Sequence, residues 1–268
     1  MERKNNVAIL FVPLAMLRYT IFILLLFTGL SCKEEIEDIQ DRSELDEDKH
    51  TLPEIISFDI PESHLIDFEI DTLSFLALGD SYTIGTGVAE RDRWPNQFVD
   101  KLRDQKMNAK DAKIVAGAGW TTGNLLKVLD NRSLAAKYDL VSLLIGVNNQ
   151  YQGALFTTFQ KEFVELMKFS LGKSKSRNSI FVLSIPDYGV TPFGGNQSTI
   201  SEEIDTYNSW IKKTCEANNI KFYDITEISR KAEKDLSLLV SDNLHPSGKM
   251  YAEWINMISN QPPDLLNQ

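Results

Sequence analysis

The chain has 268 residues, of which 43% are hydrophobic and 25% charged, a composition that supports one sizeable core and a single main domain. Its net charge of −10 and isoelectric point near 4.9 exclude a nucleic-acid-binding protein, which needs a basic face to neutralise phosphates. The three histidines and two cysteines lack metal-ligand spacing, so no metal and no other cofactor is expected. One cysteine, Cys215, fits the apolar face of a predicted helix.

The first 31 residues have the pattern of a secretory signal peptide. Arg3 and Lys4 precede an apolar run that extends to Phe27, and small residues lead to Cys32. The segment resembles a bacterial lipoprotein signal, which implies that Cys32 is lipidated and anchors the protein to a membrane of the bacterial cell envelope. The alternative is an uncleaved membrane anchor, because 7–31 nearly provides the roughly 20 apolar residues that span a bilayer. Both interpretations place the rest of the chain outside the cytoplasm.

Residues 32–68 are predicted to begin with the lipidated cysteine and to form an acidic tether. Between 33 and 50, nine acidic residues stand against three basic ones. Such a run cannot bury a core, and its charges repel one another into an extended segment. Residues 69–268 are then predicted to form the folded domain.

Short apolar strands alternate with amphipathic helices along this domain. The strands are predicted at 73–78, 113–116, 139–145, 179–185 and 221–224. Helices are predicted at 94–107 and 156–171, after a capping box formed by Thr199 and Glu202, and after Ser247. The alternation predicts an α/β fold of three α/β/α layers, in which helices cover both faces of a parallel sheet.

Polar or small residues follow the first three predicted strands. Ser81 follows the first strand, Gly119 the second and Asn148 the third, and the carboxyl ends of parallel strands meet at one edge of a sheet. The Gly-Asp-Ser tripeptide that ends at Ser81 lies between a buried strand and a helix, where a side chain emerges beside unpaired backbone N–H groups. Taken alone, such a tripeptide is more typical of an ordinary turn.

Asp242 and His245 lie together in the loop before the last predicted helix. A serine hydroxyl becomes a useful nucleophile when a base takes its proton, and His245 is the histidine in a suitable position. Asp242 can accept a hydrogen bond from the imidazole and hold its tautomer. Ser81, His245 and Asp242 are therefore the candidate catalytic residues.

Four segments, around Ser81, Gly119, Asn148 and the Asp242–His245 pair, resemble in type and order the four blocks of the SGNH hydrolases, also called GDSL esterases and lipases. The resemblance extends from 73 to 258 and implies that family's flavodoxin-like parallel sheet. It also implies an oxyanion hole formed by the backbone N–H groups of Ser81 and Gly119 and the side-chain amide of Asn148.

The third block departs from the family pattern at one position. The family usually has Asp directly after the oxyanion-hole Asn, and this chain has Asn149 there. The distance of Asn148 from Gly146 fits the block, so Asn148 is the predicted donor.

The resemblance implies a serine esterase that hydrolyses carboxylic esters through an acyl-enzyme intermediate, of the lysophospholipase or acylesterase type, without a cofactor. A small-molecule, lipid or acylated-glycan ester would be its substrate. A carbohydrate O-acetylesterase and a catalytically silent, envelope-tethered binding protein remain as alternatives. Arg91 and Arg93 are candidate contacts for an anionic head group, although a solvated or salt-bridged face is the commoner place for charged residues. The loop 186–195 is a candidate acyl wall or mobile cover, with a purely structural turn as the alternative.

Overall fold

The computed structural model describes residues 55, 57–58 and 72–267 of the chain. The predicted signal segment, Cys32 and most of the predicted tether lie outside these residues. Phe58, within the predicted tether, contacts the domain: its backbone N–H donates to Asn218 Oδ1 at 3.1 Å, and Lys168 Nζ lies 5.9 Å from its ring centroid. None of the helices in the described part of the chain combines the length and apolar character needed to cross a bilayer.

Among the residues that the structure describes, five strands form the central sheet: β1 (Phe75–Gly79), β2 (Lys113–Ala116), β3 (Leu140–Leu144), β4 (Ile180–Leu183) and β5 (Lys221–Tyr223). Their order is β2-β1-β3-β4-β5, and all neighbours are parallel. Every residue of β1, β3 and β4 is buried, and successive side chains of a strand point to opposite faces, so the sheet is covered on both faces. The predicted α/β fold with a flavodoxin-like sheet is confirmed.

In the described part of the chain, eight α-helices connect and cover the strands: α1 (Ser81–Ile84), α2 (Trp94–Asp104), α3 (Thr122–Asp130), α4 (Val147–Tyr151), α5 (Phe156–Lys173), α6 (Ser198–Ala217), α7 (Thr226–Arg230) and α8 (Gly248–Asn260). Helix α2 packs against α8, and α3 packs against α5. Ser247 caps α8 as predicted, because its Oγ accepts from the backbone N–H of Met250.

Aromatic side chains join the sheet to the helices. The Phe75 ring on β1 lies 5.4 Å from that of Phe98 on α2 and 6.0 Å from that of Phe181 on β4. A second cluster joins α5 to α6, where the rings of Phe159 and Tyr207 lie 4.5 Å apart. Buried aromatic pairs contribute apolar area and a preferred ring geometry, so the first cluster fixes β1 and β4 against α2, and the second fixes α5 against α6.

The predicted capping box of α6 is wrong. The helix begins at Ser198, after Gln197, so Thr199 and Glu202 both lie inside it. Gln197 is fixed from outside the helix, because its backbone N–H donates to the carbonyl of Gly189 at 3.0 Å. A loop contact thus sets the start of this helix in place of the local capping pattern.

Asp80 links β1 to α1. It is the N-cap of α1, and its Oδ1 accepts from the backbone N–H of Tyr82 at 3.0 Å. The residue is fully buried, and its Oδ2 has no hydrogen-bond partner among the described residues. Burial raises the pKa of Asp80 to about 7, although its backbone hydrogen bonds act in the opposite direction.

This raised pKa predicts a pH-dependent stability. Between its usual pKa of 3.8 and about 7, the folded protein holds a proton that the unfolded chain has released, so this group's contribution to stability falls as pH rises. Asp80→Asn keeps the cap and stays neutral. The melting temperature of this variant, relative to the wild type, should therefore be higher at about pH 8 than at about pH 5. Thermal unfolding across this range measures the difference. The exposed Asp130→Asn variant controls for the lost charge, and an equal trend in both variants would contradict the prediction.

Candidate active site

The ends of three neighbouring strands bring the predicted site residues together. Ser81 follows β1, Gly119 lies in the loop after β2, and Asn148 lies in the short helix after β3. Because β1 lies between β2 and β3, the connections diverge here, which is where open parallel sheets form ligand sites. These residues share a cleft of about 490 Å³ with the lining residues Tyr82, Ala118, Val147, Tyr151, Tyr188, Phe193, Leu244 and His245.

Ser81 is the first residue of α1, and the serine is buried at the base of the cleft. The next residue, Tyr82, contacts α8 through its backbone carbonyl and His245 through its ring. Its carbonyl accepts from the hydroxyl of Tyr251 on α8 at 2.9 Å, and its ring centroid lies 5.7 Å from that of His245. Helix α8 thereby holds the turn that carries the serine.

His245 and Asp242 form a hydrogen-bonded pair. The Nδ1 of His245 lies 2.7 Å from Asp242 Oδ2, and Asp242 Oδ1 accepts from the backbone N–H groups of Leu244 and His245, both at 2.9 Å. Partial burial acts to raise the pKa of Asp242, but the hydrogen bonds act in the opposite direction and outweigh burial. The pKa of Asp242 therefore lies below its usual value. The carboxylate therefore stays ionised near neutral pH and selects the tautomer that has its proton on Nδ1, which leaves Nε2 as the acceptor.

Gly119 has a conformation that favours glycine. Its φ is +75°, although a Cβ at this position would meet nothing within 4 Å. The backbone geometry, and not lack of space, accounts for the glycine. The carbonyl of Gly119 accepts from Gln152 Nε2 at 3.1 Å, so the residue after α4 holds this loop.

Asn148 and Asn149 point in different directions. Asn148 lines the cleft, and its Nδ2 donates to the carbonyl of Trp120 at 3.0 Å, which leaves its second N–H for another acceptor. Asn149 is buried, and its amide forms two hydrogen bonds with Thr122. The sharp entry into α4 occurs at Gly146, whose φ is +131° and where a Cβ would lie 2.7 Å from the ring of Phe159.

The loop 186–195 is tied to the domain at several points. The buried carboxylate of Asp187 pairs with Arg230 of α7 at 2.9 Å and accepts from the backbone N–H of Gly189 at 2.8 Å. The backbone N–H of Phe193 donates to the carbonyl of Asn243, in the loop of His245, at 3.3 Å. The loop is therefore a fixed wall of the cleft, and the alternative of a mobile cover is not supported by these contacts.

Three aromatic rings stand together at this wall. The centroids of Tyr151, Tyr188 and Phe193 lie 6.0 to 6.3 Å from one another. Tyr188 is buried, whereas Tyr151 and Phe193 are 58% and 48% exposed. Sequence reasoning missed Tyr151, although its position three residues after Asn148 places both on one side of a short helix.

The arginines predicted at the rim lie elsewhere. Arg91 and Arg93 do not line the cleft of Ser81; they line a separate groove that also contains Ile84, Asn96 and Arg103. The expectation that they contact a head group beside the serine is therefore wrong. The 3-10 turn at Glu90–Asp92 directs this segment toward the edge strand β2.

Cys215 is buried as predicted, and burial raises the pKa of its thiol. Among the residues that the structure describes, no cluster of His, Cys, Asp and Glu has the composition of a metal site. The cleft thus brings together a hydroxyl, an imidazole–carboxylate pair and several N–H donors, which are the groups that acyl transfer uses.

Solved structures share this fold. A lipolytic protein of the G-D-S-L family from Veillonella parvula superposes with a TM-score of 0.58 at 15% identity, over 70% of this chain and 97% of that protein. An acetylxylan esterase from Geobacillus stearothermophilus superposes with a TM-score of 0.55 at 20% identity, over 70% of this chain and 93% of that protein.

Sequence comparison identifies the family to which the chain belongs. A multidomain esterase from Ruminococcus flavefaciens is 28% identical over 151 residues, which are 52% of this chain and 18% of that protein, so the chain corresponds to a small part of that relative. The sequence profile of the GDSL-like lipase/acylhydrolase family matches residues 77–253, which include the end of β1, the strands β2 to β5 and all the predicted catalytic and oxyanion-hole residues. The chain therefore belongs to the GDSL-like lipase/acylhydrolase family.

Proposed function

We propose that the chain is a serine esterase that hydrolyses carboxylic esters through an acyl-enzyme intermediate on Ser81. The observation that carries the proposal is the shared cleft, in which Ser81, Gly119, Asn148 and His245 meet while Asp242 holds the far side of the imidazole. A domain that only binds has no need for this complete set, which argues against the catalytically silent alternative.

In the first step, Nε2 of His245 takes the proton of Ser81 Oγ as that oxygen attacks the carbonyl carbon of the ester. The carbonyl π electrons move to oxygen and form a tetrahedral oxyanion. The backbone N–H groups of Ser81 and Gly119 and the amide of Asn148 donate to this oxyanion, and Asp242 stabilises the imidazolium.

In the second step, the oxyanion collapses and the bond to the alcohol oxygen breaks. The imidazolium of His245 gives its proton to the leaving alcohol, and the acyl group remains on Ser81. Water then attacks the acyl-enzyme with His245 as base. The acid is released, and the proton returns to Ser81 Oγ, so the balance of the cycle is ester plus water to acid plus alcohol.

The apolar lining of the cleft suits the acyl group of an ester. The cleft volume of about 490 Å³ includes the open mouth, and apolar side chains such as Val147 and Leu244 line it. A lysophospholipase or acylesterase acting on lipid or small esters is the first candidate within this reaction class.

The second candidate is a carbohydrate O-acetylesterase, and the ring cluster of Tyr151, Tyr188 and Phe193 favours it. The rings of Tyr151 and Phe193 are exposed beside the site, and the buried ring of Tyr188 packs against both. Exposed aromatic faces in a cluster are typical of a binding surface, and their planar faces suit the apolar face of a sugar ring. The acetylxylan esterase named above shares the fold at low identity, so this proposal rests on the rings of this chain.

We also propose that the chain is anchored in a bacterial envelope membrane by lipid on Cys32. The support is the sequence: a basic start, an apolar run and small residues lead to this cysteine, and an acidic segment follows it. An anchored esterase would act on lipid or polysaccharide esters at the envelope.

Ser81→Ala should abolish the hydrolysis of p-nitrophenyl acetate, and Asn148→Ala should lower kcat by roughly 10² to 10³-fold, because one oxyanion donor is lost. Steady-state kinetics measure both effects, and circular dichroism checks that each variant is folded. A fluorophosphonate should label the wild type on Ser81 and leave Ser81→Ala unlabelled. Equal labelling or equal turnover in Ser81→Ala would overturn the assignment.

Tyr151→Ala and Phe193→Ala should each raise KM for an acetylated xylo-oligosaccharide by roughly fivefold, which corresponds to a loss of about 1 kcal/mol. Hydrolysis of p-nitrophenyl acetate should stay near the wild-type rate. Leu236→Ala, which removes an exposed apolar side chain outside the cleft lining, is the control. A loss confined to long-chain p-nitrophenyl esters would instead assign the rings to an acyl chain and favour the lipid esterase.

Cys32→Ser should prevent the incorporation of an alkyne-labelled fatty acid when the full chain is produced in a bacterium that processes lipoproteins. The variant should also leave the membrane fraction. Labelling of the serine variant to the wild-type level would exclude lipidation at this position.

A further inference from the structure

Helix α4 and the residue after it hold the loop that carries Gly119. Three side chains reach this loop: Asn148 donates to the carbonyl of Trp120, Gln152 donates to the carbonyl of Gly119, and Asn149 bonds to Thr122. The backbone N–H of Gly119 therefore depends for its position on contacts made by α4.

Asn149 makes the buried contact of this set. It is 1% exposed and Thr122 is 0% exposed. Its Oδ1 accepts from the backbone N–H of Thr122 at 3.0 Å, and its Nδ2 donates to Thr122 Oγ1 at 2.7 Å. The hydroxyl of Thr122 donates in turn to Oε2 of Glu162 on α5.

The chemistry of these groups allows one direction for this chain of hydrogen bonds. The backbone N–H of Thr122 can only donate, so Asn149 must turn its oxygen toward it and its NH2 toward the hydroxyl. The hydroxyl has a single hydrogen, which it gives to Glu162, because an ionised carboxylate only accepts. With Asp in place of Asn149, the carboxylates of Asp and Glu162 would both face the hydroxyl of Thr122, which has one hydrogen to donate.

We propose that Asn149, acting through Thr122, is a positioning residue for the Gly119 oxyanion donor, and that Glu162 makes an amide at position 149 necessary. The proposal rests on the esterase function proposed above. Thr122 lies three residues after Gly119 at the start of α3, so a shift of this threonine moves the donor. It also explains why the chain has Asn149 where the family usually has Asp.

The first test is Asn149→Asp in the full chain. With p-nitrophenyl acetate, kcat should fall at least about tenfold, toward the loss seen when an oxyanion donor is removed, while KM changes less than about twofold. Asn124→Asp is the matched control: Asn124 is exposed on α3, and its Oδ1 accepts from the backbone N–H and the hydroxyl of Thr121, both at 3.1 Å. Asp keeps that acceptor, so the control should retain wild-type kcat.

The second test reverses the direction of the hydrogen bonds. In the double variant Asn149→Asp with Glu162→Gln, the glutamine amide can donate to the hydroxyl of Thr122, which can then donate to the new carboxylate. The double variant should regain most of the kcat lost in Asn149→Asp. A general loss of packing at position 149 does not predict rescue by a change on α5.

Thr122→Val provides an independent check, since it keeps the side-chain shape and removes the hydroxyl. It should lower kcat as Asn149→Asp does, and Glu162→Gln should not restore it. Melting temperatures show whether each variant is folded in the assay.

Labelling of Ser81 by a fluorophosphonate separates the two proposals. A folded wild type that neither hydrolyses esters nor labels overturns the esterase and the positioning role with it. A wild type that does both, while Asn149→Asp keeps its kcat or the double variant is as slow as Asn149→Asp alone, overturns the positioning role and leaves the esterase intact.

Discussion

Parallel pairing of β1 with both β2 and β3 is the constraint on which the site depends. It places the carboxyl ends of these strands side by side, with Gly79 in register with Ala116 on one neighbour and Leu144 on the other. The residues that follow the three ends then meet without any long loop. The buried rings of Phe98 on α2, Phe75 on β1 and Phe181 on β4 help fix this register, since a shift by one residue would turn each strand's side chains to the wrong face.

The loop after β2 is short and Gly-rich, and it would have little order by itself. Its order comes from α4, a helix of five residues that is itself too short to be stable in isolation. Helix α4 is held by the turn at Gly146 and by hydrogen bonds to its neighbours, among them the contact of Gln150 with the hydroxyl of Tyr188 at 2.8 Å. Order in this region is thus cooperative: each segment is fixed by the next.

The sequence was sufficient to predict the alternating elements, the parallel sheet and the cleft residues that follow strand ends, because hydrophobic periodicity and the place of a residue directly after a strand are local properties. It could not predict where α6 begins, since the carbonyl of Gly189 sets Gln197 from outside the helix. The sequence also led to the wrong position for Arg93, which was expected beside Ser81 and lies in a separate groove, because the direction of a loop depends on packing. The two directions of Asn148 and Asn149 likewise follow from partners, Trp120 and Thr122, that lie far away in the chain.

The attachment of the loop 186–195 has a consequence for how the cleft meets aggregated substrates. Asp187 holds the loop through Arg230, and Phe193 joins it to the histidine loop at Asn243. Lipases that must open a helical lid show a jump in rate when their substrate forms an oil–water interface. A wall that is already in place has no such step. The rate of ester hydrolysis by this chain should therefore follow the concentration of dissolved substrate smoothly through the critical micelle concentration, without interfacial activation.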